Sequence, residues 1–119
     1  MYRIPDTLDL SGVVGEFTTQ LRVGQFDFQF TLGKVNFAVT SAITLIQNGE
    51  VIGRWAEGEW PDRQFFNTMN VAVCKAEVRN ERLIVLHFAN AIEMHLEDDS
   101  DQYECMVITV EGEPGPWII

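Results

Sequence analysis

The fold is decided by residues 83–113, which read LIVLHFANAIEMHLEDDSDQYECMVITVEGE. Three runs of this stretch alternate apolar and polar residues, at 83–88, 92–96 and 103–110. Such alternation is typical of β-strands, because successive side chains point to opposite faces of a sheet. A short Ala89-Asn90 turn and an acidic turn at 97–101 separate the runs. The stretch therefore predicts three antiparallel strands joined by short connections.

The same alternation extends through the rest of the chain. An arm at 1–10 precedes the strands predicted at 12–21, 26–32, 35–47, 51–55, 71–79, 82–88, 91–97 and 103–111. Asn48-Gly49 predicts a type I′ hairpin turn, because both central residues of that turn need a positive φ. Gly58 and Pro61 interrupt the pattern at 57–70, which we interpret as a connection with one helical turn at 62–68.

The two halves of the chain repeat this pattern. FDFQF at 26–30 corresponds to IVLHF at 84–88, VNFAV at 35–39 to IEMHL at 92–96, ITLIQNGE at 43–50 to MVITVEGE at 106–113, and Trp55 to Trp117. We predict a single all-β domain over 1–119, with pseudo-repeats at about 12–56 and 71–119. Two similar antiparallel sheets, one from each half, would form a β-sandwich or a flattened barrel of roughly 8–9 strands with little or no helix.

Charge narrows the choice of partner. The chain has 18 acidic and 8 basic residues, a formal net charge of −10, and residues 93–113 hold eight acidic residues with no Lys or Arg. This balance argues against binding nucleic acid or an anionic membrane surface, and it favours a cationic protein partner. One alternative is that the acidic turn is simply solvated and contacts no partner. Another is that it binds calcium, although it lacks the Gly that calcium-binding loops usually contain.

The start of the sequence and its apolar runs bear on location. MYRIPDTLDLSG has no charged segment followed by an apolar one, as a secretory signal would have. No apolar run approaches the ~18–20 residues of a membrane span. The expected location is therefore the cytoplasm.

Few residues suggest bond chemistry. Cys74 and Cys105 fall in apolar runs and are interpreted as buried, reduced thiols, with a cross-strand disulfide or a catalytic thiol as alternatives. His87 and His95 make half a zinc site at most and are interpreted as ordinary sheet histidines. A glycosidase-like carboxylate pair stays open in so acidic a chain, although no pocket pattern supports it. We predict a protein that is not an enzyme and that has no cofactor, metal or catalytic residue.

The large aromatic residues divide into two groups. Trp55 and Trp117 occupy equivalent places in the repeat and are predicted to pack in the core. Trp60 lies among Glu57, Glu59 and Asp62, and Tyr103 follows the acidic turn. Both are candidates for interface anchors, with a framework role as the alternative.

The segment with the acidic turn resembles the immunity proteins of bacterial contact-dependent growth inhibition systems. In that family, similar sheet segments precede an acidic turn and an aromatic-Glu pair. The matching positions here are Leu86, Phe88, Ile92, Met94, Leu96, Asp98, Asp99, Ser100, Asp101, Tyr103 and Glu104. The Gly expected after the turn Asn is Ala91 in this chain.

The resemblance implies an inhibitor of one cognate toxin domain, commonly a basic nuclease. The contact residues expected on this basis are Glu93, Glu97, Asp98, Asp99, Asp101, Tyr103 and Glu104, joined by Glu57, Glu59, Trp60 and Asp62. Two alternatives stay open from the sequence. One is an assembly module that pairs through a strand edge, and the other is a β-barrel for a small ligand or metal. The sequence leaves the oligomeric state undetermined.

Overall fold

Two five-stranded antiparallel sheets pack face to face. The computed structural model describes residues 3–119; Met1 and Tyr2, the start of the predicted arm, lie outside the described residues. The strands are β1 (Arg22–Val23), β2 (Phe28–Leu32), β3 (Val35–Val39), β4 (Ile43–Gln47), β5 (Glu50–Trp55), β6 (Val73–Asn80), β7 (Leu83–Phe88), β8 (Ile92–Glu97), β9 (Met106–Val110) and β10 (Trp117–Ile118). Sheet A has the order β1-β2-β3-β9-β10, and sheet B has the order β5-β4-β8-β7-β6. The predicted all-β antiparallel fold is confirmed, and of the two predicted forms it is the sandwich.

Helical structure among the described residues is limited to two 3₁₀ helices, Ser11–Val13 and Arg63–Thr68. The second confirms the helical turn predicted at 62–68. It contacts β5 and inserts Phe65 into the core, where the ring lies 5.2 Å from Phe28. None of the helical segments within residues 3–119 has the length and apolar character needed to cross a membrane.

The inner faces of the two sheets form one hydrophobic core. Alternate residues of β2, β3, β4 and β8 are buried, as the period-two pattern predicts. Aromatic rings concentrate at β2, where Phe28 lies 5.6 Å from Trp55 and Phe30 stacks on Phe37 at 4.8 Å. Burying such side chains contributes roughly 1.5–3 kcal/mol each before the entropy of ordering them is counted.

The two halves do not form one sheet each, contrary to the prediction. Strands β1–β3 lie in sheet A and β4–β5 in sheet B, whereas β6–β8 lie in sheet B and β9–β10 in sheet A. The first three strands of each half, β1-β2-β3 and β6-β7-β8, occupy equivalent positions in the two sheets. Beside them lie the last two strands of the other half, which are β9-β10 in sheet A and β4-β5 in sheet B. The halves are therefore related by pseudo-twofold symmetry, and they exchange their last two strands.

The repeat also has a different register from the one that the sequence pattern suggested. Phe28 pairs with Val39, and the equivalent pair is Ile84 with Leu96, so Phe28 and not Phe26 corresponds to Ile84. A shift of two residues keeps every side chain on its face, so alternation alone cannot detect it. Phe26 is consequently exposed.

The same shift affects the end of the chain. Trp55 pairs with Ile43, and the equivalent place beside Met106 is taken by Ile119, through two backbone hydrogen bonds of 2.9 and 3.1 Å. Ile119 is fully buried, while Trp117 is only half-buried and donates its Nε1–H to Glu113. The predicted core role thus holds for Trp55 and passes from Trp117 to Ile119.

Two predicted strands are wrong or too long. Residues 12–21 form the first 3₁₀ helix and an irregular segment, in which Gly15 has φ +87° and Val14 and Phe17 are exposed. The strand predicted at 103–111 begins only at Met106. Residues before it are bent by Ser100, whose Oγ accepts the backbone N–H groups of Gln102 and Tyr103 at 3.1 and 3.0 Å.

The thiols and turns complete the comparison. Cys105 is buried as predicted, but Cys74 is exposed near the start of edge strand β6, and both thiols are free. Asn48 and Gly49 have φ +53° and +82°, which confirms the predicted type I′ hairpin. The turn between β6 and β7 lies at Glu81-Arg82, because Asn80 is the last residue of β6.

Candidate functional site

The acidic turn is fastened to the fold through Asp98. Its carboxylate has 1% of its side-chain surface exposed and binds the Arg3 guanidinium at 3.0 Å. The backbone N–H of Asp98 donates to the carbonyl of Arg82 at 2.8 Å. Asp98 was predicted to belong to an exposed contact surface, but its burial makes it a structural anchor instead.

Asp101 is exposed but is also neutralised from within the chain. It accepts a hydrogen bond from Arg82 at 2.7 Å and pairs with Arg3. These hydrogen bonds hold the pKa of Asp101 below its ordinary value. The sequence shows no Lys or Arg in this stretch, but the fold supplies two arginines from distant positions. Asp101 is therefore a weaker attractor for a cationic partner than the sequence suggests.

The remaining acidic residues of the turn open onto a cleft. Asp99, Tyr103 and Glu104 line a cleft of about 460 Å³ together with Glu57 from the end of β5. Among the described residues that line it, three are carboxylates and none is Lys or Arg. The fold thus brings Glu57 together with three of the contact residues predicted around the acidic turn, although Glu57 lies more than 40 positions away in the sequence.

The cleft is built by hydrogen bonds between the loop and the β3–β4 connection. The Asp99 carboxylate accepts the backbone N–H of Ala42 at 3.2 Å. Thr40 donates its hydroxyl to the carbonyl of Glu104 at 3.1 Å. The turn at Ser100 leaves the Tyr103 ring 72% exposed beside the carboxylates. The arrangement suits a cationic side chain with a flat or aliphatic part, because carboxylates attract its charge and a tyrosine ring stacks on it.

Cys105 lies at the back of the cleft with its thiol buried. Burial, followed by the hydrogen bond to Asp98 at 3.3 Å, raises the pKa of this thiol to about 11. A thiol must be deprotonated to act as a nucleophile, so Cys105 is protonated and unreactive at neutral pH. The alternative of a catalytic thiol at this position therefore has no support.

The other predicted contact residues lie apart from the cleft. Glu93 and Glu97 are half-buried on the outer face of sheet B, where Glu93 bonds His95 at 3.0 Å. Glu59 is exposed in the connection after β5. Asp62 caps the edge of β5, because its Oδ2 accepts the backbone N–H of Arg54 at 2.8 Å.

Trp60 opens onto a second depression that the sequence did not reveal. This groove of about 620 Å³ runs along the second 3₁₀ helix, and Leu21, Phe66 and Met69 line it with Trp60. Trp60 is 82% exposed and Phe66 is 73% exposed. The Phe65-Phe66 pair was visible in the sequence, but a pattern does not tell which ring turns inward on so short a helix.

The predicted histidines share the outer face of sheet B. On these neighbouring strands, His87 of β7 lies opposite Glu93 of β8, and His95 lies two residues further along β8, opposite Val85. The two histidines are therefore diagonal neighbours on that face. Nε2 of His87 lies 2.8 Å from Glu77, and this hydrogen bond, with a second from Arg79, lowers the pKa of Glu77 to about 2. Within residues 3–119 no group of three or more His, Cys, Asp or Glu side chains is placed to hold a metal ion.

Comparisons with known proteins add no assignment. Searches against protein-family models, curated proteins and solved structures each give no match for this chain. The geometry of the described residues is therefore the basis for the function proposed below.

Proposed function

We propose that this chain is an immunity protein that binds and neutralises a cognate basic toxin domain of a contact-dependent growth inhibition system. One observation carries the proposal. Glu57, Asp99 and Glu104 converge with the exposed ring of Tyr103 on one cleft, and no basic side chain of the described residues lines it. A cleft of this kind fits an Arg or Lys of a partner protein.

The charge of the whole chain supports the same partner. A nuclease domain is basic because it must bind phosphates, and a protein of net charge −10 attracts it over long range. Electrostatic attraction of this kind raises the association rate by up to about 10²–10³-fold at low salt. An inhibitor that must capture a few toxin molecules before they act benefits from this fast association.

For the alternative of an assembly module that pairs through a strand edge, the relevant observation is that both edges of sheet B are partly covered. The outer edge of β5 is capped at Arg54 by Asp62. The outer edge of β6 is covered at both ends, because Val73 exchanges backbone hydrogen bonds with Gly15 and Glu16, and Glu81 accepts one from Ile4. Such covering is how sheets avoid pairing with other chains.

Co-purification with a defined partner tests the proposal. The chain is co-expressed with the C-terminal domain of the protein encoded immediately upstream, and the complex is isolated at low and high salt. We expect a stoichiometric complex. Its association rate constant, measured by surface plasmon resonance, should be about tenfold lower for the Asp99→Asn, Glu104→Gln double variant than for the wild type. A Glu50→Gln, Glu111→Gln control removes the same charge at the other ends of β5 and β9, and it should bind nearly as the wild type does.

Two results would count against the proposal. Absence of any complex with the upstream domain would remove the immunity function. A complex whose association rate responds equally to the cleft variant and to the control would show that net charge, and not the cleft, guides binding.

A further inference from the structure

The groove beside the second 3₁₀ helix is a conspicuous apolar feature of the surface. Trp60 and Phe66 each expose more than 70% of their surface, although large aromatic side chains are usually buried. Neither ring is needed to close the core at this place, because Phe65 and Trp55 fill it. Contiguous exposed aromatic surface of this kind marks interaction sites in soluble proteins.

The groove and the acidic cleft are joined by one short segment. Residues 57–62 follow β5, with Glu57 on the cleft and Trp60 on the groove three residues later. Two hydrogen bonds hold this segment in place. The N–H of Gly58 donates to the carbonyl of Gln25 at 2.8 Å, and Asp62 accepts from Arg54. A partner seated in one depression therefore lies next to the other.

We propose that the groove is the apolar half of a two-part docking site, in which Trp60 and Phe66 clasp an apolar side chain of the same basic partner whose cation enters the acidic cleft. This inference rests on the function proposed above. It adds a contact surface and a division of roles, since the cleft controls the rate of association and the groove controls the rate of dissociation.

Charge complementarity decides which kind of partner fits. Within the groove, the charges of Asp62 and Arg63 cancel, so the charge of the partner is selected outside the groove. The adjoining segment carries Glu57 and Glu59, and the cleft beyond it adds Asp99 and Glu104. A second copy of this chain, with its own net charge of −10, would meet repulsion at this place. A basic protein that presents an apolar side chain beside Arg or Lys meets attraction on one side and a clasp on the other.

The two depressions make distinct kinetic predictions. Aromatic anchors at the centre of an interface dominate its free energy and act mainly on the dissociation rate. Charges in the cleft act mainly on the association rate and on its dependence on salt. Removing one feature at a time therefore separates the two contributions.

The experiment measures both rate constants by surface plasmon resonance against the upstream toxin domain, inactivated by substitution. The variants are Trp60→Ala, Phe66→Ala and their combination, with Val51→Ala as the control. Val51 is an apolar residue of β5 that is 65% exposed and lies outside both depressions. Because all three side chains are exposed, circular dichroism and melting temperature should stay unchanged and confirm intact folding.

We expect dissociation from Trp60→Ala to be at least tenfold faster than from the wild type. The association rate and its salt dependence should change less than threefold, and Val51→Ala should behave as the wild type does. If the wild type binds the toxin domain and the groove variants leave dissociation unchanged, the groove proposal is wrong while the immunity function stands. If the wild type does not bind, the immunity function falls and takes the groove proposal with it.

Analytical sedimentation of the free protein tests whether a second copy of this chain occupies the groove. A wild-type dimer that Trp60→Ala converts to a monomer would show that a second copy occupies the groove, and it would overturn the proposal. A monomer at all concentrations, together with the kinetic result above, would support it.

Discussion

At the scale of single residues, Ala91 holds an unfavourable conformation in the turn between β7 and β8. Its φ of +71° lies in the left-handed region, where a β-carbon is strained and Gly is preferred. The turn itself is closed by the N–H of Ala91 donating to Phe88 and by Asn90 accepting from Ile92.

Replacing Ala91 by Gly should stabilise the protein by about 0.5–1 kcal/mol. Relief of the left-handed strain, roughly 1–2 kcal/mol, exceeds the roughly 0.4–1 kcal/mol that the greater freedom of Gly adds to the unfolded chain. The measurement is the free energy of unfolding in urea. The control is Ala89→Gly in the same turn, at a residue without a positive φ, which should be slightly destabilising. Equal effects from the two substitutions would contradict the strain argument.

Arg3 is the second residue with an individual role, because it partners the buried carboxylate of Asp98. Arg3→Met should destabilise the protein by about 2–3 kcal/mol, since it leaves a carboxylate buried without its charged partner. Arg54→Met, which changes an exposed arginine, should stay within about 0.5 kcal/mol of the wild type. Urea unfolding measures both variants, and a loss below 1 kcal/mol for Arg3→Met would show that Arg82 and solvent suffice.

At the scale of elements, β6 and β7 carry a polar network on the outer face of sheet B. Glu77 accepts hydrogen bonds from His87 at 2.8 Å and from Arg79 at 2.7 Å. The side chain of Glu77 keeps 25% of its surface exposed, so solvent screens part of this interaction. The network nevertheless lies on β6, the longer edge strand of this sheet, and ties it to its neighbour β7.

Stability should depend on the ionisation of Glu77 at acidic pH. The pKa of Glu77 in the folded protein is about 2, below the ordinary value for a glutamate. The ionised carboxylate therefore stabilises the folded state at any pH above that ordinary pKa. That contribution is lost as the pH falls from about 5 toward 2. Glu77→Gln should therefore be less stable than the wild type at pH 6, and the difference should shrink at pH 3.

The pH test needs a matched substitution. Glu59→Gln removes the same charge from an exposed carboxyl of the connection after β5. Its difference from the wild type in urea unfolding should be small at both pH values. A difference for Glu77→Gln that does not change between pH 6 and pH 3 would contradict the role given to this network.

At the scale of the whole molecule, the two halves depend on each other because they exchange strands. β3 of the first half pairs with β9 of the second along five residues, from Val35 to Val39, and β4 pairs with β8 in the same way. Both pairings lie near the centre of their sheets. Neither half can complete a sheet or cover its own apolar face alone.

Separated halves should therefore be unfolded and should fold on mixing. The cut is placed between Gly58 and Glu59, two exposed residues of the connection. We expect fragments 1–58 and 59–119 each to give a poorly dispersed proton NMR spectrum, and their mixture to recover a dispersed one. A dispersed spectrum from either fragment alone would show that the exchange of strands is not required for folding.

The sequence by itself determined the strands and their faces. Period-two alternation located β2 through β8 closely, since burying every second side chain is a local property of a strand. The Asn48-Gly49 turn and the helical turn after Pro61 were equally local signals. Of the candidate site, the sequence supplied Asp99, Tyr103, Glu104 and Glu57 as separate members of two patches.

Only the tertiary structure decided how these parts meet. Alternation is unchanged by a shift of two residues, so the register that places Ile119 in the core was outside its reach. A count of charges treats the acidic turn as one negative patch. In the structure, Arg3 pairs with Asp98 and Arg82 pairs with Asp101, so these two carboxylates are already neutralised within the chain. The cleft exists because the fold brings the connection after β5 beside the loop before β9. Contacts between such distant segments are set by packing, which no local pattern encodes.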